Sequence, residues 1–277
     1  MHIMVADPTG LCFGVRRAIT TLENELSRSA RVYSLGSPIH NPQEIDRLKK
    51  LGLVVVDSPE EVPEGAVSFV RAHGVGPGVF DALKKRSQTV IDGTCPFVKT
   101  AQERAKQLSD EGYTVVISGD LEHPEVQGIM GYTAGDVAVI ASDAGIPETL
   151  KGRRCGVLSQ TTQKVACFVA LVSAFVSIAP EIKVYNTICK ATLARQDSVC
   201  RLASEVDGMI VLGGRNSANT RKLAEISMDA GVPTAWIEHS GELDGRWLDG
   251  KANIGIAAGG STPDWLIKAL IQKLKKM

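Results

Sequence analysis

Three cysteines of this chain stand at one kind of place. Cys12 lies in GLCFGVRRAI after the run HIMVAD, Cys95 in DGTCPFVK after TVID, and Cys189 in TICKATLARQ after KVYN. At each, a short apolar or β-branched run ends and a helical pattern begins, which predicts a strand-to-helix corner. Pro96, directly after Cys95, suits a first helical position, where its missing N–H costs nothing. A thiolate at such a corner is stabilised by the N–H groups of the helix start and by the helix dipole.

The spacing downstream repeats as well. Gly36, Gly119 and Gly213 each lie 24 residues beyond their cysteine, and His40, His123 and Ser217 each lie 28 beyond it. These offsets point to three copies of one α/β unit, with a period well above that of solenoid repeats. Three thiolates without a fourth suit an iron–sulfur cluster that keeps one iron open to substrate. They could also hold zinc with a water, although zinc ligands usually come in tight C-x₂₋₄-C pairs, which this chain lacks. Taken singly, each cysteine reads equally well as a small buried hydrophobe. Cys155, Cys167 and Cys200 lie inside apolar or helical patterns and are read as packing.

A second set of residues could hold an anion. His40 and His123 occur in the related runs HNPQ and HPEV, and His73 sits in the Gly-rich run AHGVGPG. With Thr161, Ser217, Asn219 and Ser261 they fall in loops rich in backbone N–H donors. Such a set can grip a phosphate or diphosphate without a Walker-type lysine. Glu125, two residues after His123, is the carboxylate placed to face the same centre; in an extended segment that spacing points both side chains to one side. A lone loop histidine is usually a solvated side chain, and His2 and His239 are read that way.

Elements must position these residues. Each unit reads as strand, cysteine, helix, strand, loop, helix, strand, loop, helix. The strands are RVYSLG, LVVVD, AVSFVRA and TVIDGT, then TVVISG, VAVIA, RCGVLS and KVYN, then GMIVLGG, TAWIE and ANIGIAAG. Continuous apolar strands alternating with helices predict parallel sheets covered on both faces. In such sheets ligands collect beyond the carboxyl ends of the strands, where all the loops above lie. The expected division is 13–94, 95–188 and 189–277, joined by an N-terminal strand over 1–12, with the three units facing a common centre.

Composition bounds the class. Lys+Arg and Asp+Glu both number 31 in 277 residues, so no bulk field points to nucleic acid or an anionic membrane. The start, MHIMVADPTG, lacks the basic and apolar regions of a signal peptide. Val165–Ala179 is a 15-residue apolar run, too short to span a bilayer, and reads as a buried helix, with a partner-facing helix as the other reading. A cytoplasmic location follows as the expectation. There six cysteines suggest metal or catalysis before disulfides.

The ordered motifs GLCFGVRRAI, PIHNPQ, RAHGVG, DGTCPFVK, EHPEVQGI, SQTT, TICKATLARQ, GGRNSANT and GGSTPDW resemble the 4-hydroxy-3-methylbut-2-enyl diphosphate reductase family almost end to end. The resemblance implies three α/β domains with pseudo-three-fold symmetry around one central [4Fe–4S] cluster on Cys12, Cys95 and Cys189. It implies reduction of an allylic alcohol diphosphate to isopentenyl and dimethylallyl diphosphates. His40, His73, His123, Ser217, Asn219 and Ser261 then hold the diphosphate, and Thr161 and Glu125 handle the proton of the leaving hydroxyl. A ferredoxin or flavodoxin is the implied electron donor. Two positions depart from the family pattern: Ala218 stands where many members have a second Ser, and Lys190 where Tyr or Asn is frequent. The alternative from another reaction class is a redox-neutral iron–sulfur dehydratase acting on a phosphorylated small alcohol. A non-enzymatic iron–sulfur carrier is a third reading, one that leaves the His and Ser loops without a purpose.

Overall fold

The computed structural model describes residues 1–141 and 145–277. In chain order, β1 (His2–Val5), α1 (Phe13–Leu26), β2 (Val32–Leu35) and α2 (Pro42–Lys50) come first. They are followed by β3 (Leu53–Val56), β4 (Val67–Val70), α3 (Pro77–Arg86), β5 (Thr89–Asp92) and α4 (Pro96–Asp110). Next are β6 (Thr114–Ser118), α5 (Pro124–Met130), β7 (Val137–Ile140), β8 (Arg154–Ser159), α6 (Val165–Val176) and β9 (Glu181–Tyr185). The last are α7 (Lys190–Ala203), β10 (Gly208–Leu212), α8 (Ala218–Asp229), β11 (Thr234–Ile237), β12 (Asn253–Ala258) and α9 (Asp264–Leu274). The strands are those the sequence predicts, and β1 pairs with β12. Helix α5 is an addition, because HPEVQG reads as loop from its sequence.

The strands form parallel four-stranded sheets of orders β1-β12-β10-β11, β5-β4-β2-β3 and β9-β8-β6-β7. All three share one order: the strand before the cysteine lies at one edge, followed by the last, the first and the second strand of the run that completes the sheet. The backbone packs into two compact units. One comprises Met1–Arg16, Ile39–Arg47 and Lys190–Met277, the other Arg17–Pro38 and Leu48–Cys189.

The first unit holds the sheet of β1, β12, β10 and β11. Its central strand β10 is buried along its whole length. Period-two alternation divides its side chains between two cores. Ile210 and Leu212 join Ile254, Ile256 and the α9 residues Leu266, Ile267 and Leu270 on one face. Met209 and Val211 join Leu202 of α7 and Leu223 and Ala224 of α8 on the other. Gly255 of β12 leaves room for this packing, since a Cβ there would lie 2.3 Å from the Met209 sulfur.

The second unit holds the other two sheets. Helix α4 shows why its sequence forms a helix here. Pro96 opens it, Val98, Ala101, Gln102, Ala105 and Leu108 recur at helical spacing and are buried, and Gly112 ends it with φ +79°. The buried stripe packs with Val115, Ile117 and Leu158 of the sheet. Full burial of a leucine such as Leu108 contributes about 1.5–3 kcal/mol. On the other sheet of this unit, Leu35, Val56 and Val70 pack with Leu83 of α3.

The turn before Cys95 is close-packed. A Cβ on Gly93 would lie 2.4 Å from Phe69 Cζ and 2.5 Å from the Val70 carbonyl. Phe69 is fully buried, and the backbone carbonyl cannot yield. Gly93→Ala is therefore expected to destabilise the fold by about 1–3 kcal/mol through overpacking. The urea midpoint of the variant measures this, and an unchanged midpoint contradicts the packing described.

Candidate functional site

The cysteine corners are built three times in the same way. The N–H of Cys12 donates to the Gly260 carbonyl at 3.0 Å, that of Cys95 to Ala72 at 3.0 Å, and that of Cys189 to Thr161 at 2.9 Å. Each acceptor lies two residues past the end of the neighbouring strand, β12, β4 or β8. The glycines repeat too: the N–H groups of Gly36, Gly119 and Gly213 donate to Val56, Ile140 and Ile237, the last residues of β3, β7 and β11. A helix of 14 or 15 residues starts directly after each cysteine. All three cysteines are half-buried. First-turn N–H groups lack intrahelical acceptors, so a thiolate at each corner gains their field.

In the first unit, Cys12 lies near Gly260 and the amide of Asn219. A Cβ on Gly260 would lie 3.6 Å from Cys12 Sγ and 3.7 Å from Asn219 Nδ2, so the absent side chain keeps the sulfur and the amide open to one space. Ser217 caps α8, its hydroxyl accepting from the Thr220 N–H at 3.3 Å. Ser261 donates to the His40 carbonyl at 3.1 Å and lies 3.4 Å from the Ser217 hydroxyl. Gly214 passes against that same carbonyl, where a Cβ would approach to 2.6 Å. Asn219 sits in the first turn of α8. Among the described residues neither its amide oxygen nor its amide nitrogen has a hydrogen-bond partner, although both are buried. A buried unpaired polar group costs about 1–3 kcal/mol, and an anion at the helix start would remove the share that falls on Nδ2 by accepting from it. The backbone of His40 is fixed by the start of α2. Asn41 accepts from the Glu44 N–H at 2.9 Å to cap that helix, and buried Glu44 accepts from Trp265 Nε1 at 3.0 Å.

In the second unit, Glu125 and Thr161 form a buried pair. The Thr161 N–H donates to Glu125 Oε1 at 2.6 Å and its hydroxyl donates to Oε2 at 2.8 Å. Burial pushes the Glu125 carboxyl up from its ordinary value, against the lowering effect of the two Thr161 bonds. His123 caps α5, its Nδ1 accepting from the Glu125 N–H at 3.2 Å. The ring's proton therefore resides on Nε2 in the neutral form. His73 meets His123 edge to face, with ring centres 5.5 Å apart. Glycines allow this approach: a Cβ on Gly76 would lie 3.1 Å from Gly131 Cα, and one on Gly131 only 2.8 Å from Gly76 Cα.

The sequence-derived residues thus fall into two groups, one in each unit. Cys12, His40, Ser217, Asn219 and Ser261 share the first, and Cys95, Cys189, His73, His123, Glu125 and Thr161 the second. One local expectation is corrected. His123 and Glu125 do not occupy an extended segment; Glu125 is in the first turn of α5, and the cap hydrogen bond joins the two. Residues missed by sequence reading include Arg195, which is buried on α7. Its signal was available: it shares a helical face with Thr192 and Val199, where a charge is unexpected. The half-buried thiols at helix starts, and the side-chain gap at Gly260, fit the ligand set of an iron–sulfur cluster.

The family model described as LytB protein matches residues 3–275. A 4-hydroxy-3-methylbut-2-enyl diphosphate reductase of Aquifex aeolicus (strain VF5) is 44% identical, over 100% of this chain and 97% of its own. One from Geobacter sulfurreducens is 42% identical, covering 100% and 98%. Among solved structures, (E)-4-hydroxy-3-methyl-but-2-enyl diphosphate reductase, the terminal enzyme of the non-mevalonate pathway, matches with TM-score 0.74 and 43% identity over 100% of both chains. The E-1-hydroxy-2-methyl-but-2-enyl-4-diphosphate reductase from Plasmodium falciparum matches with TM-score 0.89 and 25% identity, covering 99% of this chain and 88% of that one.

The Glu125 environment has a consequence for stability. Its folded-state pKa lies above the unfolded value, so the native state holds the proton more tightly. That contribution is fully present below the unfolded carboxylate range and is lost as pH rises through the folded pKa. Glu125→Gln removes the titration while keeping an oxygen for Thr161. The melting temperature of the variant should therefore gain on the wild type as pH rises above the unfolded carboxylate range, about pH 4. Melting curves at several pH values check this, and a constant difference above that range contradicts it.

Proposed function

The chain belongs to the LytB protein family, and from that premise we propose that it reductively dehydroxylates (E)-4-hydroxy-3-methylbut-2-enyl diphosphate to isopentenyl and dimethylallyl diphosphates. The observation that carries this reading is the cysteine corner built three times with one hydrogen bond. Cys12, Cys95 and Cys189 would hold one [4Fe–4S] cluster per chain. When bound, that cluster supplies single electrons and a Lewis acid for the leaving oxygen.

The chain's own residues do the rest. His40, Ser217, Asn219 and Ser261, together with His73 and His123, hold the diphosphate. Several short-range donors suit an anion of about three charges, since charge-assisted hydrogen bonds are roughly twice as strong as neutral ones. Support comes from the buried amide of Asn219 and the paired hydroxyls of Ser217 and Ser261. Glu125 supplies the proton that lets the hydroxyl leave as water. Burial pushes its carboxyl up from the ordinary value, the direction that suits a general acid. Thr161 orients the carboxyl through its two bonds, because a hydroxyl is itself too weak an acid. The reaction consumes two electrons and two protons. One proton leaves with the hydroxyl as water, and the second adds to carbon. The electrons come from a protein donor of the ferredoxin or flavodoxin kind, in the cytoplasm. No described helix is long and apolar enough to cross a membrane. The division into units 13–94, 95–188 and 189–277, with the strand of residues 1–12, belongs to the same proposal.

Two experiments test this. Anaerobically purified protein should contain about four irons and four sulfides per chain. Cys12→Ser, Cys95→Ser or Cys189→Ser should each lose most of them, whereas serine at Cys155, Cys167 or Cys200 should not. Zinc alone, or equal loss at all six positions, overturns the reading. Turnover that needs no reductant would establish the dehydratase instead.

Glu125→Gln should bind substrate as the wild type does while turnover falls by about 10²–10⁴, the range for losing a general acid. Binding and single-turnover rates are measured separately. Affinity falling in step with rate would assign Glu125 to binding, and an unchanged rate would place the proton donor elsewhere.

A further inference from the structure

Helix α7 begins directly after Cys189 and carries a buried cation that the proposed reaction does not use. Arg195 is only 4% exposed. Its Nη2 donates to the Gly10 carbonyl at 2.8 Å and its Nη1 to the Ala191 carbonyl at 3.0 Å. Gly10 stands two residues before Cys12, and Ala191 two after Cys189. One helical turn further along α7, the Ser198 hydroxyl accepts from the Asp7 N–H at 2.9 Å. The segment between β1 and α1 is thus fastened to α7 at Asp7 and Gly10, then to the loop after β12 at Cys12. Gly10 has φ +75°, and a Cβ there would lie 3.0 Å from both Asp264 Oδ1 and Ile267 Cδ1. A side chain at this position would be crowded and strained, so the backbone turn that offers the Gly10 carbonyl to the guanidinium depends on glycine.

We propose that Arg195 is a positioning residue that clamps the Cys12 loop to α7 and, through its buried charge, raises the reduction potential of the cluster. The reasoning joins two properties of one side chain. A planar guanidinium can donate to two carbonyls at once and stays charged while doing so, which a lysine ammonium at that site cannot match in geometry. Cluster potentials respond to nearby charge and burial. A buried cation two residues' reach from one ligand favours the more negative, reduced form. The inference rests on the assignment of Cys12 as a cluster ligand.

The test compares Arg195→Lys, Arg195→Gln and the exposed control Arg16→Gln, each purified anaerobically. Two quantities are read: the midpoint potential by a titration followed with electron paramagnetic resonance, and amide hydrogen exchange of residues 8–14 by mass spectrometry. Arg195→Gln should shift the midpoint to more negative values, leaving about tenfold less reduced cluster at a fixed potential, which is 59 mV for a one-electron couple. Arg195→Lys should keep the wild-type potential but speed exchange in residues 8–14 about fivefold, as expected for one hydrogen bond lost. Arg16→Gln should change neither. Loss of iron in Arg195→Gln with native circular dichroism, rescued by Lys, also supports the role of the buried charge. Unchanged exchange in Arg195→Lys, a wild-type potential in Arg195→Gln, or loss of the fold in both variants overturns the proposal. A wild-type protein without iron would instead sink the proposed function, and the exchange result would still judge the clamp.

Discussion

One hydrogen bond, from a cysteine N–H to the carbonyl two residues beyond the next strand, organises this protein. A parallel strand delivers its chain end at the carboxyl edge of the sheet, and the following helix must turn back from there. At that turn the backbone N–H of the cysteine has lost its ladder partner and would otherwise be orphaned. Pairing it with the adjacent loop satisfies the donor and fixes the loop beside the thiol. The same register brings Ala72, Thr161 and Gly260 to equivalent places, and with them His73, Thr162 and Ser261 one residue later. Chemistry-bearing side chains are thereby assigned to positions by sheet geometry alone. What differs among the three copies is which residue occupies each position.

Burial then gives those side chains their properties. Glu125 is nearly inaccessible, and its carboxyl oxygens are both bound by Thr161. Thr161 is also the residue whose carbonyl accepts from Cys189, so one loop residue ties the acid to a cysteine corner. His123 is linked to the same carboxylic acid through the backbone of α5. Its ring meets that of His73 edge to face, and Gly76 and Gly131 approach one another closely in the same unit. In the other unit, Trp265 and Asn41 hold the start of α2, and with it the His40 carbonyl to which Ser261 donates.

Much of this was legible in the sequence because it depends on local pattern. Short apolar runs closed by Gly, with helical spacing after them, identify the strands and the cysteine corners. Equal offsets to Gly36, Gly119 and Gly213 disclose the repeat, and the structure shows their common purpose, an N–H donated to the edge strand. The seven-residue helix α5 escaped notice because Pro124 and Gly128 resemble loop punctuation, whereas Pro124 occupies the first helical position that tolerates it. The contacts of Arg195 were hidden for another reason. Its partners are backbone carbonyls, and one lies 185 residues away in the chain. Such carbonyls leave no mark on residue type. The two-unit packing likewise depends on segments such as Ile39–Arg47, whose membership no periodicity reveals.

The pairing of β1 with β12 matters for how the molecule is made. His2 to Val5 lie opposite Asn253 to Ile256 and, among the described residues, pair with no other strand. During synthesis β1 leaves the ribosome 251 residues ahead of the strand it pairs with. At about 5–20 residues per second the interval is of the order of tens of seconds. Throughout it, the first strand is an unmatched edge, and the Cys12 N–H has no Gly260 carbonyl to meet. The sheets of β2–β5 and β6–β9 draw on continuous stretches of chain and can form in that interval. Completion of the Cys12 corner therefore waits for β12, and a nascent chain stalled before residue 253 presents Cys12 after an unpaired strand.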